Sequence, residues 1–228
     1  MKIGYVILAR CSSSRFPNKV LTPVIEGMSP LELIYRKISE ISDNLIIATS
    51  EDASDDKIAE LAEGYSWNIF RGSLENVSTR FLRASKQISL DYSFRVNADN
   101  IIIPLDLYQF FEDQIRDLRL NFYTNLIDRT FPYGVSVESV NVGFYEEIID
   151  RFADKDQEHV TSFIYSHLDS FSYFSFKNQF WKNLPGRKLA LDSQEDLVEL
   201  QKIYGGMQDS YFQIGLNELN NYYNGLEK

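Results

Sequence analysis

Hydrophobic and polar positions along the first half of the chain fall into alternating blocks, short apolar runs followed by stretches with the three-to-four-residue spacing of helices. Residues 3–9, Ile-Gly-Tyr-Val-Ile-Leu-Ala, form a nearly unbroken apolar run that predicts a buried strand. Ser29-Pro30-Leu31-Glu32 then combines an N-cap serine, a proline at the first helical position and a glutamate two residues on. The helix it starts carries Leu31, Leu33, Ile34 and Ile38 on one face. Residues 44–49 predict a second strand, Ser54 with Asp55 and Asp56 open a helix carrying Ile58 and Leu61, and residues 67–70 predict a third strand. Ser73 is placed to cap a helix over 74–87, and a fourth strand over 92–96 ends on Asn97-Ala98-Asp99-Asn100. Such alternation predicts an α/β fold with a mostly parallel sheet flanked by helices.

The pattern changes in the second half. Residues 122–126, 135–140 and 171–176 predict shorter, partly aromatic strands, expected to form a small antiparallel subregion, with helical stretches at 145–152 and 157–167 between them. Residues 188–191 predict a last strand ending at Asp192, where Ser193 and Asp196 mark a helix start. The tail, 205–228, is helical around 216–223. With no repeat, low-complexity tract or linker, the 228 residues are expected to form a single domain.

Composition narrows the function. The chain is 44% hydrophobic and 25% charged, with a net charge of −10. That acidity argues against nucleic acid as a partner, because phosphate backbones recruit basic faces. No apolar run reaches the roughly 18 to 20 residues of a membrane span, so no membrane partner is expected. The run after Met1 and Lys2 stops at Arg10 and is wrongly flanked for a signal peptide. A cytoplasmic location is therefore expected. Cys11 is the single cysteine, which excludes an internal disulfide and a cysteine metal cluster, and it reads as a small filler of its loop.

Against this acidic background, the loop after the first strand concentrates cations. Arg10, Arg15 and Lys19 surround Ser12-Ser13-Ser14, a run small enough for backbone N–H groups to approach an anion. A nucleoside triphosphate is the expected guest, held at the carboxyl edge of the sheet where open α/β folds bind ligands. Residues 9–19 contain no glycine, so neither common phosphate-loop fingerprint is present, and the composition alone is also compatible with an ordinary polar loop. Asp99 and Asp192 each follow an apolar strand and precede a helix. Together with phosphate oxygens they suit Mg²⁺ or Mn²⁺; taken singly, an Asx turn is the alternative for Asp99 and a helix cap for Asp192, and the pair is stronger evidence than either residue.

In segment order, the chain resembles the cytidylyltransferase family that includes spore-coat polysaccharide biosynthesis proteins and the synthetases of CMP-activated acidic sugars. Ala9, Arg10, Ser13, Arg15, Pro17 and Lys19 match the family pattern A-R-x-G-S-x-R-x-P-x-K, with Ser12 in place of its glycine. Ala98-Asp99-Asn100-Ile101 keeps the aspartate of a G-D-x-P motif but neither its glycine nor its proline. Phe70-Arg71-Gly72-Ser73, Tyr123-Thr124-Asn125, the segment Arg129-Thr130-Phe131-Pro132-Tyr133-Gly134 with Glu138, Glu158-His159-Val160-Thr161 and Leu191-Asp192-Ser193-Gln194-Glu195-Asp196 complete the series. The resemblance spans about residues 1–204.

The resemblance implies a nucleotide-diphospho-sugar transferase (GT-A-like) fold, with a nucleotide-binding half over about 1–120 and an acceptor half over 121–204. It implies transfer of CMP from CTP to a sugar, sugar-acid or polyol-phosphate acceptor, with release of pyrophosphate. Arg15, Lys19 and Asp99 are then the expected catalytic residues, and Asp99 with Asp192 the expected metal ligands. Leu8, Ala9, Arg10, Ser12, Ser13, Ser14, Arg71, Gly72, Ser73 and Asn97 are expected around the nucleotide. Tyr123, Asn125, Arg129, Tyr133, Gly134, Glu138, Glu158 and His159 are expected around the acceptor, with Arg129 or Arg187 meeting any anionic group. For His159 a structural hydrogen bond is an equal alternative. A homodimer is also implied; Phe171, Tyr173, Phe174 and Phe176 include residues on both faces of one predicted strand, and one exposed aromatic face would make a patch to bury against another subunit. Two other readings stay open: a sugar-nucleotide-dependent glycosyltransferase, and an inactive nucleotide-binding relative, suggested by Ser12 and Ile101.

Overall fold

The computed structural model describes residues 1–206 and 214–226. Along the chain the strands are β1 (Ile3–Leu8), β2 (Leu45–Ser50), β3 (Ile69–Gly72), β4 (Tyr92–Asn97), β5 (Phe122–Thr124), β6 (Glu138–Asn141) and β7 (Tyr173–Ser175). The α-helices are α1 (Pro30–Ser39), α2 (Asp56–Gly64), α3 (Val77–Gln87), α4 (Leu105–Leu118), α5 (Val142–Ile148), α6 (Asp154–Glu158), α7 (Ser162–Ser166), α8 (Gln194–Gly206) and α9 (Leu216–Leu226).

The strands join in one seven-stranded sheet of order β3-β2-β1-β4-β6-β5-β7. β1 pairs in parallel with both β2 and β4, and β2 with β3. β6 runs antiparallel to β4 and β5, while β5 and β7 are parallel to each other. The expected antiparallel subregion is therefore one reversed strand within a continuous sheet. Apolar side chains on the two faces feed two buried clusters, one containing Tyr5, Ile7, Leu31, Phe94 and Phe111, the other Val6, Ile46, Phe81, Phe122 and Tyr145. That two-sided burial explains why β1 and β2 read as continuous apolar runs.

Several local signals act as expected. Ser29 and Glu32 form a reciprocal capping box at α1, with Pro30 behind it. Others shift. α3 is capped by Asn76, whose side chain accepts from the Thr79 amide, and not by Ser73. α2 is preceded by a short 3-10 turn capped by Asp52, which frees Asp55 for a buried role. The helix expected over 157–167 breaks into α6 and α7 around His159, and α5 starts earlier than expected because Asn141 caps it. α4 had no counterpart in the sequence reading. Residues 188–191 are not a strand; Lys188 makes an isolated bridge to Tyr133, and the Leu191 amide donates to the Asp99 carbonyl at 2.9 Å. Of the tail, α9 agrees with the expected helix, while 207–213 and 227–228 lie outside the described residues.

The expected aromatic face does not form. Phe174 and Phe176 pack on Phe110 and Phe111, and Phe171 packs on Phe144, which leaves Tyr173 as the exposed ring of β7.

Lys37 ties α1 to the start of α9: its buried ammonium donates to the Ile214 carbonyl at 3.0 Å. Burial lowers its pKa from 10.5 to about 8. Between those values the unfolded chain holds a proton that the folded chain lacks, so this group makes stability rise with pH through that window. Lys37→Met is therefore expected to flatten the rise, and the difference in unfolding free energy between variant and wild type should change by about 3 kcal/mol from pH 7.5 to 10.5. Denaturant melts at both pH values read it directly.

Candidate active site

The sheet register brings the carboxyl ends of the central strands together, with Leu8 beside both Ala48 and Asn97. The chain leaves β1 into a loop pinned from below. The buried Asp55 accepts the Cys11 amide at 2.6 Å and the Ser50 hydroxyl, while the Cys11 carbonyl accepts from the Asn18 amide at 2.9 Å. Cys11 itself is buried, and burial reinforced by the Asp55 charge pushes its thiol up to about 11, which is the environment of a filler and not of a nucleophile.

Between these pins, the amides of Ser12, Ser13, Ser14 and Arg15 donate to no protein acceptor among the described residues. They are free to bind an anion. The backbone strain that Ser12 threatened in place of glycine does not arise, since its φ is not positive. Asn18 does adopt the left-handed region, at φ 58°, as asparagine tolerates.

Lys19 follows in a 3-10 turn, its side chain only 11% exposed. Its ammonium sits between the two aspartates, 2.8 Å from Asp99 Oδ2 and 3.2 Å from Asp192 Oδ1. Arg15 reaches the same Asp192 oxygen at 3.4 Å, and Lys188 reaches the other at 3.5 Å. Asp192 is aimed by the start of α8: the amides of Asp192 and Ser193 both donate to Asp196 Oδ2 at 2.9 Å. Although burial raises the Asp196 pKa, Lys188 and these amides hold its carboxyl below the ordinary value.

Arg15, Lys19, Asp99 and Asp192 line a cavity of about 410 Å³ that also includes Leu8, Ala9, Arg10, Ser12, Ser13, Ser14, Asn97, Glu158 and His159. A second cavity of about 570 Å³ is lined by Arg129, Phe131, Tyr133, Gly134, Glu138 and Arg187 among others. Arg95, Asn97, Asp99, Tyr133 and His159 line both. Arg95, Asn97 and Asp99 alternate along β4 and its exit, so strand periodicity puts all three on one face.

The second cavity is shaped by backbone constraints. Gly134 has φ +102°, and a Cβ there would stand 2.5 Å from the Ala190 amide nitrogen, so only glycine lets this loop approach 187–191. Asp128 and Arg129 both have positive φ, 64° and 46°. Such conformations cost about 1–3 kcal/mol each and gather at functional sites. The Arg129 side chain that this turn carries has no hydrogen bond or ion pair among the described residues.

Not every expected residue faces a cavity. Arg71 clamps the loop after β2, donating to the Ser50 and Asp52 carbonyls and to Asp56. Gly72 packs beside Phe70 and Arg80. Ser73 accepts the Asn76 amide and, at its carbonyl, Arg80. Tyr123 is fully buried between Tyr92 and Phe174, its hydroxyl accepting the Leu120 amide. Asn125, also buried, holds the backbone of Val135 and Val137 and so supports from beneath the loop that lines the second cavity. Glu158, expected around the acceptor, lines the first cavity and not the second, paired with Arg10 at 3.3 Å. The His159 side chain makes no hydrogen bond among the described residues and lines both cavities.

Two lining arginines have no place among the residues expected from sequence. Arg80 is buried on α3, bonded to the Ser73 and Leu74 carbonyls, and burial lowers its pKa. Arg95 pairs with the buried Glu138 at 2.5 Å, and Glu138 also accepts the Thr161 hydroxyl at 2.7 Å. A signal for Arg95 was present: a cation inside an otherwise apolar central strand needs a buried partner or a ligand.

The two aspartates fit a divalent cation by their donor chemistry, hard carboxylate oxygens already converging on one positive charge. No cluster of three or more His, Cys, Asp or Glu suited to a metal exists among the described residues, so further oxygens must come from elsewhere.

A family model described as cytidylyltransferase matches residues 5–227. The uncharacterized protein MJ1063 of Methanocaldococcus jannaschii is 32% identical over 208 residues, covering 89% of this chain and 84% of that protein. The spore coat polysaccharide biosynthesis protein SpsF of Bacillus subtilis is 29% identical over 216 residues, covering 89% and 86%. Among solved structures, a cytidylyltransferase from Leptospira borgpetersenii superposes with a TM-score of 0.91 at 24% identity, covering all of this chain and 95% of the other.

Proposed function

The chain belongs to the cytidylyltransferase family, and we propose that it transfers CMP from CTP to an oxygen of a sugar, sugar-acid or polyol-phosphate acceptor, releasing pyrophosphate, in the making of a surface glycan precursor. The observation that carries this is the shared wall: a cation-rich cavity for a triphosphate and a second cavity for an acceptor meet at Asp99.

Transfer requires in-line attack of the acceptor oxygen on the α-phosphorus, so the protein must hold the two substrates in register and offset charge growing toward pyrophosphate. The free amides of 12–15, with Arg15 and Lys19, hold the β- and γ-phosphates. Arg10 stands at the entrance against Glu158. Asp99 and Asp192 would hold Mg²⁺, which when bound supplies Lewis-acid stabilisation at phosphate and lowers the pKa of a coordinated hydroxyl. Arg95, braced by Glu138, adds a cation where the cavities join. Ser12 introduces no backbone strain and Ile101 is buried core, which supports reading the chain as active.

Thermal unfolding with CTP, UTP, ATP and GTP, each with and without Mg²⁺, tests the nucleotide half. A CTP-selective stabilisation supports the reading, and no shift with any triphosphate would sink it. The acceptor half is tested by pyrophosphate release across an acceptor panel. Arg129→Ala is expected to raise the KM of an anionic acceptor by about 10- to 100-fold, one lost charge-assisted hydrogen bond, with the KM for CTP unchanged. An unchanged acceptor KM would remove Arg129 from acceptor recognition.

A further inference from the structure

We propose that Lys19 is the resident cation of the aspartate pair, and that a divalent metal enters only together with the triphosphate, which draws Lys19 off the carboxylates. This rests on the nucleotide and metal reading above and adds an order of events to it.

Charge at the pair supports it first. Asp99 and Asp192 are met by Lys19 and Arg15 within 3.4 Å, while Lys188, 3.5 Å from Asp192, pairs more closely with Asp196 at 2.6 Å. The cations thus already balance the carboxylates, and a bare divalent ion meets no net negative charge. Burial sharpens the effect, because Lys19 and Asp192 are 11% and 9% exposed and charges interact more strongly away from water.

Ligand count points the same way. A hard divalent cation takes six or more oxygens, and the described residues offer it no third carboxylate or histidine. A triphosphate supplies both missing parts: oxygens for the metal, and negative charge beside the unpaired amides of 12–15 to which Arg15 and Lys19 can turn. Lys19 sits in a short 3-10 turn immediately after that loop, so its side chain can exchange carboxylates for phosphates without moving the sheet. Metal and nucleotide would thus bind with positive coupling, and such coupling is reciprocal.

The test is Mn²⁺ binding to the nucleotide-free protein, followed by electron paramagnetic resonance, for wild type and Lys19→Met, with thermal unfolding to confirm that the variant is folded and Lys19→Gln as a second variant. CTP affinity with and without Mn²⁺ is measured alongside by calorimetry. Removing the resident cation should tighten nucleotide-free Mn²⁺ binding about tenfold or more, and Mn²⁺ should tighten CTP binding to wild type by a similar factor. Equal Mn²⁺ affinity in wild type and both variants would overturn the inference while leaving the metal reading standing. Wild-type CTP affinity indifferent to Mn²⁺ would overturn the metal reading itself.

Discussion

Asp99→Ala is expected to slow CMP transfer by about 10²- to 10³-fold, the range for removing one preorganised electrostatic group from a reacting centre. Asp99 lies on the shared wall of the two cavities and accepts from Lys19 at 2.8 Å. Its loss removes one proposed metal ligand and one anchor of the loop lysine together. The side chain is partly exposed, so the fold should survive, with Tm within about 4 °C of wild type. A second readout needs no acceptor. At about 100 times its dissociation constant a ligand adds roughly 2.7 kcal/mol, and the Mg²⁺-dependent part of the CTP stabilisation should disappear in the variant. Transfer within a few-fold of wild type would show that the reacting centre lies elsewhere.

Glu138→Ala is expected to be the most destabilising single change near the site. Glu138 is 2% exposed and satisfies both Arg95 at 2.5 Å and the Thr161 hydroxyl at 2.7 Å. Removing it leaves the Arg95 guanidinium, partly buried at 20% exposure and with an Nε that already has no partner, without its counter-ion. Breaking a buried pair from one side costs about 3–5 kcal/mol, a fall in Tm of about 10 °C for a chain of this size. The double variant Arg95→Met with Glu138→Leu should recover most of that stability, since no unpaired charge remains, yet stay impaired in transfer because Arg95 faces both cavities. Thermal melts and pyrophosphate release on the same samples separate the two roles. A double variant as unstable as Glu138→Ala would show that the loss comes from packing and not from the orphaned charge.

The first half of the fold was legible because its signals are local. A capping box at Ser29 and Glu32 depends on residues three apart, and buried parallel strands announce themselves as apolar runs. The misreadings also have local causes. Ser73 and Asn76 are both competent N-caps, and the choice fell to Asn76 when Ser73 extended the path out of β3. Residues 188–191 have the composition of a strand, but they pair at one residue with Tyr133 and at another with the backbone of Asp99. α4 went unread although its apolar face, including Leu107, Tyr108, Phe111 and Ile115, is buried.

Site residues divide in the same way. The loop 10–19 was legible because its cations stand out in an acidic chain. Tyr123 and Asn125, expected at the acceptor, instead hold up the floor and loop behind it, since a motif match says which residues recur and not which way they point. Arg80 was invisible because an arginine on a helix is ordinarily solvated, and only the packing of α3 on the sheet buries it with Val77, Phe81 and Ala84.

By itself the sequence determined the α/β class, the order of elements through β4, the cation-rich character of the first loop and the family, all of which rest on short-range patterning, composition or motif order. Only the tertiary structure decided that Asp99 and Asp192 converge on Lys19, that Arg95 and Glu138 neutralise each other at the junction of two cavities, and that Gly134 must be glycine. Each of those facts joins residues distant along the chain, and their meeting is set by strand register, by the reversal of β6 and by the one hydrogen bond from Leu191 to Asp99, terms that act between segments and leave no local trace.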